Sequence, residues 1–259
     1  MTDILVLAAG YATRLYPLTL DRPKALLEVA GKPMIDHVLD QLAIIPKVQN
    51  VWVVTNAKFY ASFATWIQTY QLRQPNWRIE ALNDQSTDEA NRLGAIGDIH
   101  FTIKQKGLKN DLIVVAGDNL FSHSLEDFGR FCQEKKAPVL GIYDVGDLEA
   151  IQKYSCISLD SEGVITAFEE KPKEPKSTLA GIALYYYPAS SFRLIEQYLK
   201  EGNNPDQPGR LIQWLYPKTK VYTWRVPGIW LDVGSHETLR EANEMLDPSS
   251  LVTADKYIS

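Results

Sequence analysis

Ile4-Leu5-Val6-Leu7-Ala8-Ala9-Gly10-Tyr11-Ala12-Thr13-Arg14-Leu15-Tyr16-Pro17, followed by Pro23-Lys24, is the stretch from which the rest of the chain is read. Ile4 to Leu7 is a short, unbroken apolar run, the pattern of a strand buried on both faces of a parallel sheet. Small residues follow, and small residues let backbone N–H groups close around an anion. Arg14 and Lys24 then supply two cations suited to phosphate oxygens. The segment reads as a strand, a phosphate cradle and two phosphate-binding cations. It matches neither G-x-x-x-x-G-K-[ST] nor G-x-G-x-x-G. On these residues alone a tight turn carrying solvated cations stays open.

The chain has 259 residues, enough for one large α/β domain or two small ones. Hydrophobic residues make up 45% and charged residues 23%, the composition of an ordinary globular protein. A net charge of -5 argues against a general nucleic-acid surface, so bound phosphates must meet a local cluster of cations. Cys132 and Cys156 form neither a disulfide framework nor a metal-ligand spacing and read as buried thiols. His37, His100, His123 and His236 are scattered and receive no role. The N-terminus does not read as a signal peptide, and no apolar run approaches the roughly 18 residues of a membrane span. The expectation is a cytoplasmic enzyme or binding protein with no nucleic-acid or membrane partner; homo-oligomerisation stays open.

Outward from the opening stretch, helices are expected over Met34 to Ile45 and Phe59 to Tyr70, and strands over Val51 to Thr55 and Arg78 to Leu82. Phe59, Phe63, Trp66 and Tyr70 form a stripe that faces a core. Asn83 to Asn91 is a polar loop leading into Arg92 to Ile99, read as a helix despite Gly94 and Gly97. Leu112 to Ala116 is a strand without a polar residue, ending in Gly117-Asp118-Asn119. Ser124 can cap a helix running to Cys132, and Val139 to Tyr143 is a further strand. This β-α alternation marks a parallel sheet with helices on both faces, whose ligands sit beyond the carboxyl ends of the strands. In the second half, Cys156 to Leu159 and Val164 to Phe168 read as a hairpin around Asp160-Ser161-Glu162-Gly163. A long strand over Ala180 to Tyr187 follows, and Ser235 can cap a last helix ending at Leu246. The fold class is α/β: a Rossmann-like, mostly parallel central sheet flanked by helices, with a substrate-side subdomain laid over the same sheet. One domain is expected over 1–247, in halves 1–145 and 146–247, with a tail over 248–259.

Asp118 and Asp232 are the carboxylates to single out. Each ends an apolar strand before a turn, where it can chelate Mg²⁺, a cation that takes one or two carboxylates plus substrate phosphates. A turn aspartate bonding its own backbone is the competing reading for each. Beside Arg14 and Lys24, a Mg²⁺–phosphate site is the better account.

These residues resemble the signature of the sugar-1-phosphate nucleotidyltransferases, the NDP-sugar pyrophosphorylases, with the glucose-1-phosphate thymidylyltransferases and uridylyltransferases most alike. Beyond Leu7 to Leu15 and Pro23-Lys24, four blocks agree in order: Gly117-Asp118-Asn119, Glu169-Glu170-Lys171-Pro172, Ala180 to Tyr185, and Trp230-Leu231-Asp232-Val233-Gly234. The resemblance covers roughly residues 3 to 245. It implies in-line attack of a sugar-1-phosphate oxygen on the α-phosphorus of a nucleoside triphosphate, with loss of pyrophosphate and no covalent intermediate. UTP or dTTP and glucose-1-phosphate are the substrates it suggests. A nucleotidyltransferase for an aminosugar or polyol phosphate, with CTP also open as the nucleotide, and a non-catalytic NDP-sugar sensor are the alternatives.

Residue by residue, the resemblance makes Arg14, Lys24 and Asp118 catalytic and gives Mg²⁺ to Asp118 and Asp232. Leu7, Ala8, Ala9, Gly10, Thr13 and Gly117 go to the nucleotide, and Tyr154, Glu170, Lys171 and Gly181 to the sugar phosphate, Gly181 by letting the sugar approach its strand. Two departures stand out. Ala12 replaces the family's usual second loop glycine, which leaves the cradle intact provided its φ is negative. The base-reading segment also differs, and Asn83, Arg92 and Leu93 are the candidates there.

Overall fold

The computed structural model of the protein describes residues 1–247; the tail expected over 248–259 lies outside them. The first half runs through β1 (Thr2–Leu7), α1 (Met34–Leu42), β2 (Val48–Thr55), α2 (Tyr60–Arg73), β3 (Arg78–Asn83), α3 (Ala95–Lys106), β4 (Asp111–Ala116), a short strand β5 (Asn119–Phe121), α4 (Glu126–Lys135) and β6 (Val139–Asp144). The second half adds β7 (Ser155–Leu159), β8 (Ile165–Glu170), β9 (Leu179–Tyr187), α5 (Phe192–Lys200), α6 (Pro208–Leu215), β10 (Tyr222–Arg225), β11 (Trp230–Asp232) and α7 (His236–Leu246).

Consecutive residues of a strand point to opposite faces, so the complete burial of Ile4, Leu5 and Val6 means that β1 is covered on both sides. Ile4 and Val6 belong to a core built with Met34, Val38, Phe63 and Phe128, from α1, α2 and α4. Leu5 belongs to a second core with Ile96, Ile99, Ile195 and Leu211, from α3, α5 and α6. Phe59, Phe63, Trp66 and Tyr70 all face inward, as their spacing requires. The result is three layers, helices on either side of one nine-stranded sheet.

β3, β2, β1 and β4 lie side by side and parallel, and β9 then joins the edge of β4 antiparallel. From β9 the sheet forks, one branch to β7 and β8 and the other to β6 and β10. Order reverses at β1: its successor β2 lies on one flank and β4 on the other. Such a switch point leaves a crevice beyond the carboxyl ends of the strands. Here that crevice lies between Leu7 and Ala116, which pair in register.

Two local expectations shift. The helix read from Arg92 begins at Ala95, because Gly94 takes φ +78° and cannot belong to it. Ser124 does accept the Glu126 amide at 3.1 Å, while Leu125 occupies the position next to the helix. Ser235 caps α7 as expected, in a capping box completed by Thr238.

Candidate active site

The cradle is held open by its neighbours. Ala8 N–H donates to the Val54 carbonyl at 2.9 Å and Gly117 N–H to that of Leu7 at 3.1 Å, which ties the loop after β1 to β2 and to the end of β4. A Cβ on Gly117 would meet Ala25 at 2.9 Å and Val6 at 3.1 Å, so only glycine lets the two loops approach this closely. Between them lies a cavity of about 150 Å³ lined by Leu7, Ala8, Gly10, Ala12, Lys24 and Asp118, among others. Ala12 departs from the expectation of a negative φ: it sits at φ +49°, in the left-handed region. An L-residue there costs about 1–2 kcal/mol. Two hydrogen bonds to its carbonyl hold it in place, from Leu15 N–H at 3.0 Å and Thr19 Oγ1 at 2.8 Å.

Asp118 and Asp232, far apart in sequence, are brought together by a two-stranded ribbon. β5 and β11 pair antiparallel with Asn119 opposite Asp232, and Val233 N–H donates to the Asp118 carbonyl at 3.2 Å. Inside the ribbon the buried Trp230 indole donates to Asn119 Oδ1 at 2.7 Å. Lys24 pairs with the Asp118 carboxylate, and the Arg14 guanidinium lies over Gly234. Burial, and after it the charge of Asp118, pushes the Asp232 carboxyl up to about 6 against the pull of Lys24 and Arg14. Two crowded carboxylates with oxygen donors only are the environment a divalent cation relieves. The described residues hold no group of three or more such side chains, so the protein offers this pair and a ligand's phosphates would complete the shell.

Asp118 also lines a wider cavity of about 540 Å³ together with Arg14, Tyr154, Glu170, Lys171, Gly181 and Asp232. Tyr154 sets its ring edge-on to Trp230, 5.8 Å between centroids, and its hydroxyl is pushed up by burial and then by the charge of Asp232. Lys171, at φ +49°, donates its N–H to the Tyr154 carbonyl at 2.9 Å. Burial raises the Glu170 carboxyl, with Lys171 and Arg210 opposing. Gly181 borders the cavity, but a Cβ there would strike Ser155 Oγ at 2.8 Å and Leu140 and Ile157 at 3.1 Å. Its smallness serves packing between strands, where the sequence suggested room for a sugar.

A second small cavity, again about 150 Å³, lies beyond Gly10 and is lined by Leu7, Ala9, Gly10, Arg92, Gly94, Ala95, Asp98 and Asp206. Arg92 reaches it while paired with Asp206 at 2.8 Å and Glu89 at 2.9 Å. The other two base candidates do not join it. Leu93 lines an outer groove with His100 and Phe101, and Asn83 uses its Oδ1 to accept the Gln85 amide at 2.8 Å. Thr13 is exposed and lines none of the three cavities. Sequence reasoning missed Asp98 and Asp206. Asp98 reads as an ordinary first-turn acid of a helix, and Asp206 sits in a turn-rich loop whose position only the fold defines. Gly94 carried the usable signal: its backbone packs against Pro205 and Asp206 so closely that a Cβ would lie 2.7 Å from the Pro205 carbonyl.

The family model described as nucleotidyl transferase matches residues 4–248. The bifunctional protein GlmU of Methanocaldococcus jannaschii is 28% identical over 244 residues, 94% of this chain and 54% of that protein. The UTP–glucose-1-phosphate uridylyltransferase AglF of Haloferax volcanii is 28% identical over 243 residues, 93% of this chain and 95% of that protein. The chain thus spans about half the length of the GlmU protein and nearly all of AglF. A structure of UDP-glucose pyrophosphorylase complexed with UDP-glucose superposes with a TM-score of 0.78 at 21% identity, covering 99% of both chains.

Proposed function

The chain belongs to the nucleotidyl transferase family, and from that premise we propose that it transfers a nucleotidyl group from UTP or dTTP to a sugar-1-phosphate, glucose-1-phosphate being the first candidate. The observation that carries this reading is the double membership of Asp118, which lines both the cradle cavity and the wide cavity. A nucleoside triphosphate in the first and a sugar phosphate in the second would meet at that carboxylate. AglF, similar over nearly its whole length, is named for this reaction with UTP and glucose-1-phosphate.

In this reading backbone groups of Ala8, Ala9 and Gly10 hold the nucleotide. Arg14 binds the triphosphate and stabilises the pyrophosphate as it leaves. Lys24 lies beside Asp118, where it can neutralise the α-phosphate. Lys171 holds the sugar phosphate, Glu170 accepts from sugar hydroxyls, and Tyr154 packs against Trp230 at the cavity wall. The phosphate oxygen of the sugar forms a bond to the α-phosphorus as the bond from that phosphorus to the leaving pyrophosphate breaks. Mg²⁺, for which Asp118 and Asp232 are the fitting ligands, would supply neutralisation of the phosphate charge. What the residues contribute is positioning and charge compensation. Residues 1–145 would then be the nucleotide half and 146–247 the sugar-phosphate half.

The deciding experiment crosses UTP, dTTP, CTP, ATP and GTP with a panel of sugar-1-phosphates in Mg²⁺ and measures pyrophosphate. Release is expected with UTP or dTTP and glucose-1-phosphate. Release with a polyol or aminosugar phosphate alone would move the substrate, and none in any pairing would sink the enzyme reading.

A further inference from the structure

Behind the small cavity beyond Gly10 lies a chain of buried polar groups that the proposed reaction leaves unused. Asp98, in the first turn of α3, and Asp84, just after β3, are 4% and 5% exposed. Their carboxyls are in hydrogen-bonding contact. Carboxylates are acceptors only, so that contact needs a hydrogen on one of the two. Asp84 is the acceptor by its other bonds: it takes the Ser86 amide at 2.7 Å and the Ser86 hydroxyl at 2.7 and 2.9 Å. Asp98 Oδ1 is buried with no partner among the described residues. The hydrogen therefore belongs on Asp98, whose carboxyl is pushed up to about 8 by burial first and then by Asp84, with Asp206 adding to it.

Ser86 extends the chain toward the cradle. Its carbonyl accepts the Ala57 amide at 2.9 Å, while the hydroxyl of Tyr11, the residue that follows Gly10, is buried without a hydrogen-bond partner among the described residues. Asn56 adds a parallel tie, donating from Nδ2 to the Ala9 carbonyl at 2.9 Å. The charged groups around this core are Asp206, Arg92, Asp88 and Glu89. Arg92 is held by Glu89 and Asp206, and Asp88 and Glu89 act on Tyr11. Farther along α3, Lys104 pairs with Glu196 of α5. Among the described residues neither Asp84 nor Asp98 forms an ion pair that would let it stay ionised beside the other.

We propose that Asp98 is a positioning residue for nucleotide binding: protonated, it holds Asp84, and through Ser86, Ala57 and Asn56 the pair keeps the cradle loop at Ala9 and Gly10 in its binding shape. The choice of ligand rests on the nucleotidyl-transfer reading; the shared proton does not. Loss of that proton sets two buried carboxylates against each other and loosens the loop. A carboxyl raised in the folded state stabilises the fold fully below its unfolded value, near pH 4, and that contribution is lost as pH rises to about 8.

Asp98→Asn supplies an amide N–H that donates to Asp84 at every pH. Wild type and this variant are titrated calorimetrically with UTP and, separately, dTTP from pH 7 to 9.5, and their thermal unfolding is followed without nucleotide from pH 5 to 9.5. Wild-type affinity is expected to fall by about tenfold between pH 7 and pH 9, while that of D98N changes less than about twofold. The unfolding temperature of D98N should overtake that of wild type above pH 8. Asn56→Ala, which removes the tie to the Ala9 carbonyl, should weaken nucleotide binding severalfold at all pH values and leave the pH dependence of wild-type unfolding in place. Equal alkaline losses in wild type and D98N, or parallel unfolding profiles, would overturn the proposal. Should D98N not fold, Asp84→Asn takes its place with the same expected outcome. Absence of binding by either protein at any pH defeats the nucleotide role together with the proposed function, and the unfolding profiles still decide the shared proton.

Discussion

Asp118 and Asp232 crowd together beside Lys24 and Arg14, whereas Asp84 and Asp98 crowd together with no cation in contact. The two pairs share their residue type but not their burial: Asp118 and Asp232 are half-buried, Asp84 and Asp98 buried. Lys24 keeps an ion pair with Asp118, and Asp232 is pushed up only to about 6, so the first pair has cations at hand to offset its charge. In the second, Asp98 is pushed up to about 8 and keeps its hydrogen. The difference teaches that a crowded carboxylate pair has two outlets for its repulsion, a cation or a proton, and that its burial and its neighbours choose between them. One cradle thus has a charge-collecting side and a charge-neutral, position-holding side.

The largest break in this comparison should come from Asp118→Asn, which leaves the first pair one charge. Turnover should drop on the order of a thousandfold, with the fold kept as judged by circular dichroism and unfolding temperature. A wild-type rate would remove Asp118 from the chemistry. Lys24→Met tests what distinguishes the pairs, because it removes one of the first pair's two cations and leaves Arg14. Turnover should fall on the order of a hundredfold, and higher Mg²⁺ should recover part of it in steady-state assays. Indifference to Mg²⁺ would count against a shared charge balance.

Trp230→Phe probes the scaffold of the first pair, since it strands the buried Asn119 carbonyl oxygen. Stability should fall by about 1–3 kcal/mol in urea unfolding, and an unchanged midpoint would show that the ribbon does not depend on that bond. Asp84→Asn sharpens the second pair: the decline of unfolding temperature between about pH 4 and pH 8 should flatten, because an amide removes the need for the shared hydrogen. A slope equal to wild type would put the hydrogen elsewhere. The smallest effect belongs to Ala12→Gly, in the segment between the pairs. Glycine adopts φ +49° freely, so stability should change by no more than about 1 kcal/mol, in the stabilising direction. Clear destabilisation would mean that the methyl packs.

How legible was this in the chain? The strand, the cradle and the helix stripe over Phe59 to Tyr70 follow from patterns that neighbouring residues carry themselves. The five blocks, from the cradle to Trp230-Leu231-Asp232, point to the family because their order is a property of the linear chain. Asn83 and Leu93 were candidates, with Arg92, because they lie in the base-reading segment where this chain departs from its relatives; in the fold Asn83 accepts the Gln85 amide and Leu93 lines an outer groove. Gly181 was read as room for a ligand, yet Ser155 from another strand fills the space.

By itself, then, the sequence determined the alternation of strands and helices, the small-residue loop with its two cations, and membership of the nucleotidyl transferase family. These depend on local backbone preference, on hydrophobic period and on order along the chain. Tertiary structure alone decided that Asp118 meets Asp232 through a ribbon, that Ala12 is held left-handed, and that Asp98 meets Asp84 without a cation. The reason is that charge state and close approach belong to the environment a fold assembles from distant segments, where burial and a neighbour's charge outweigh what a residue brings by its own type.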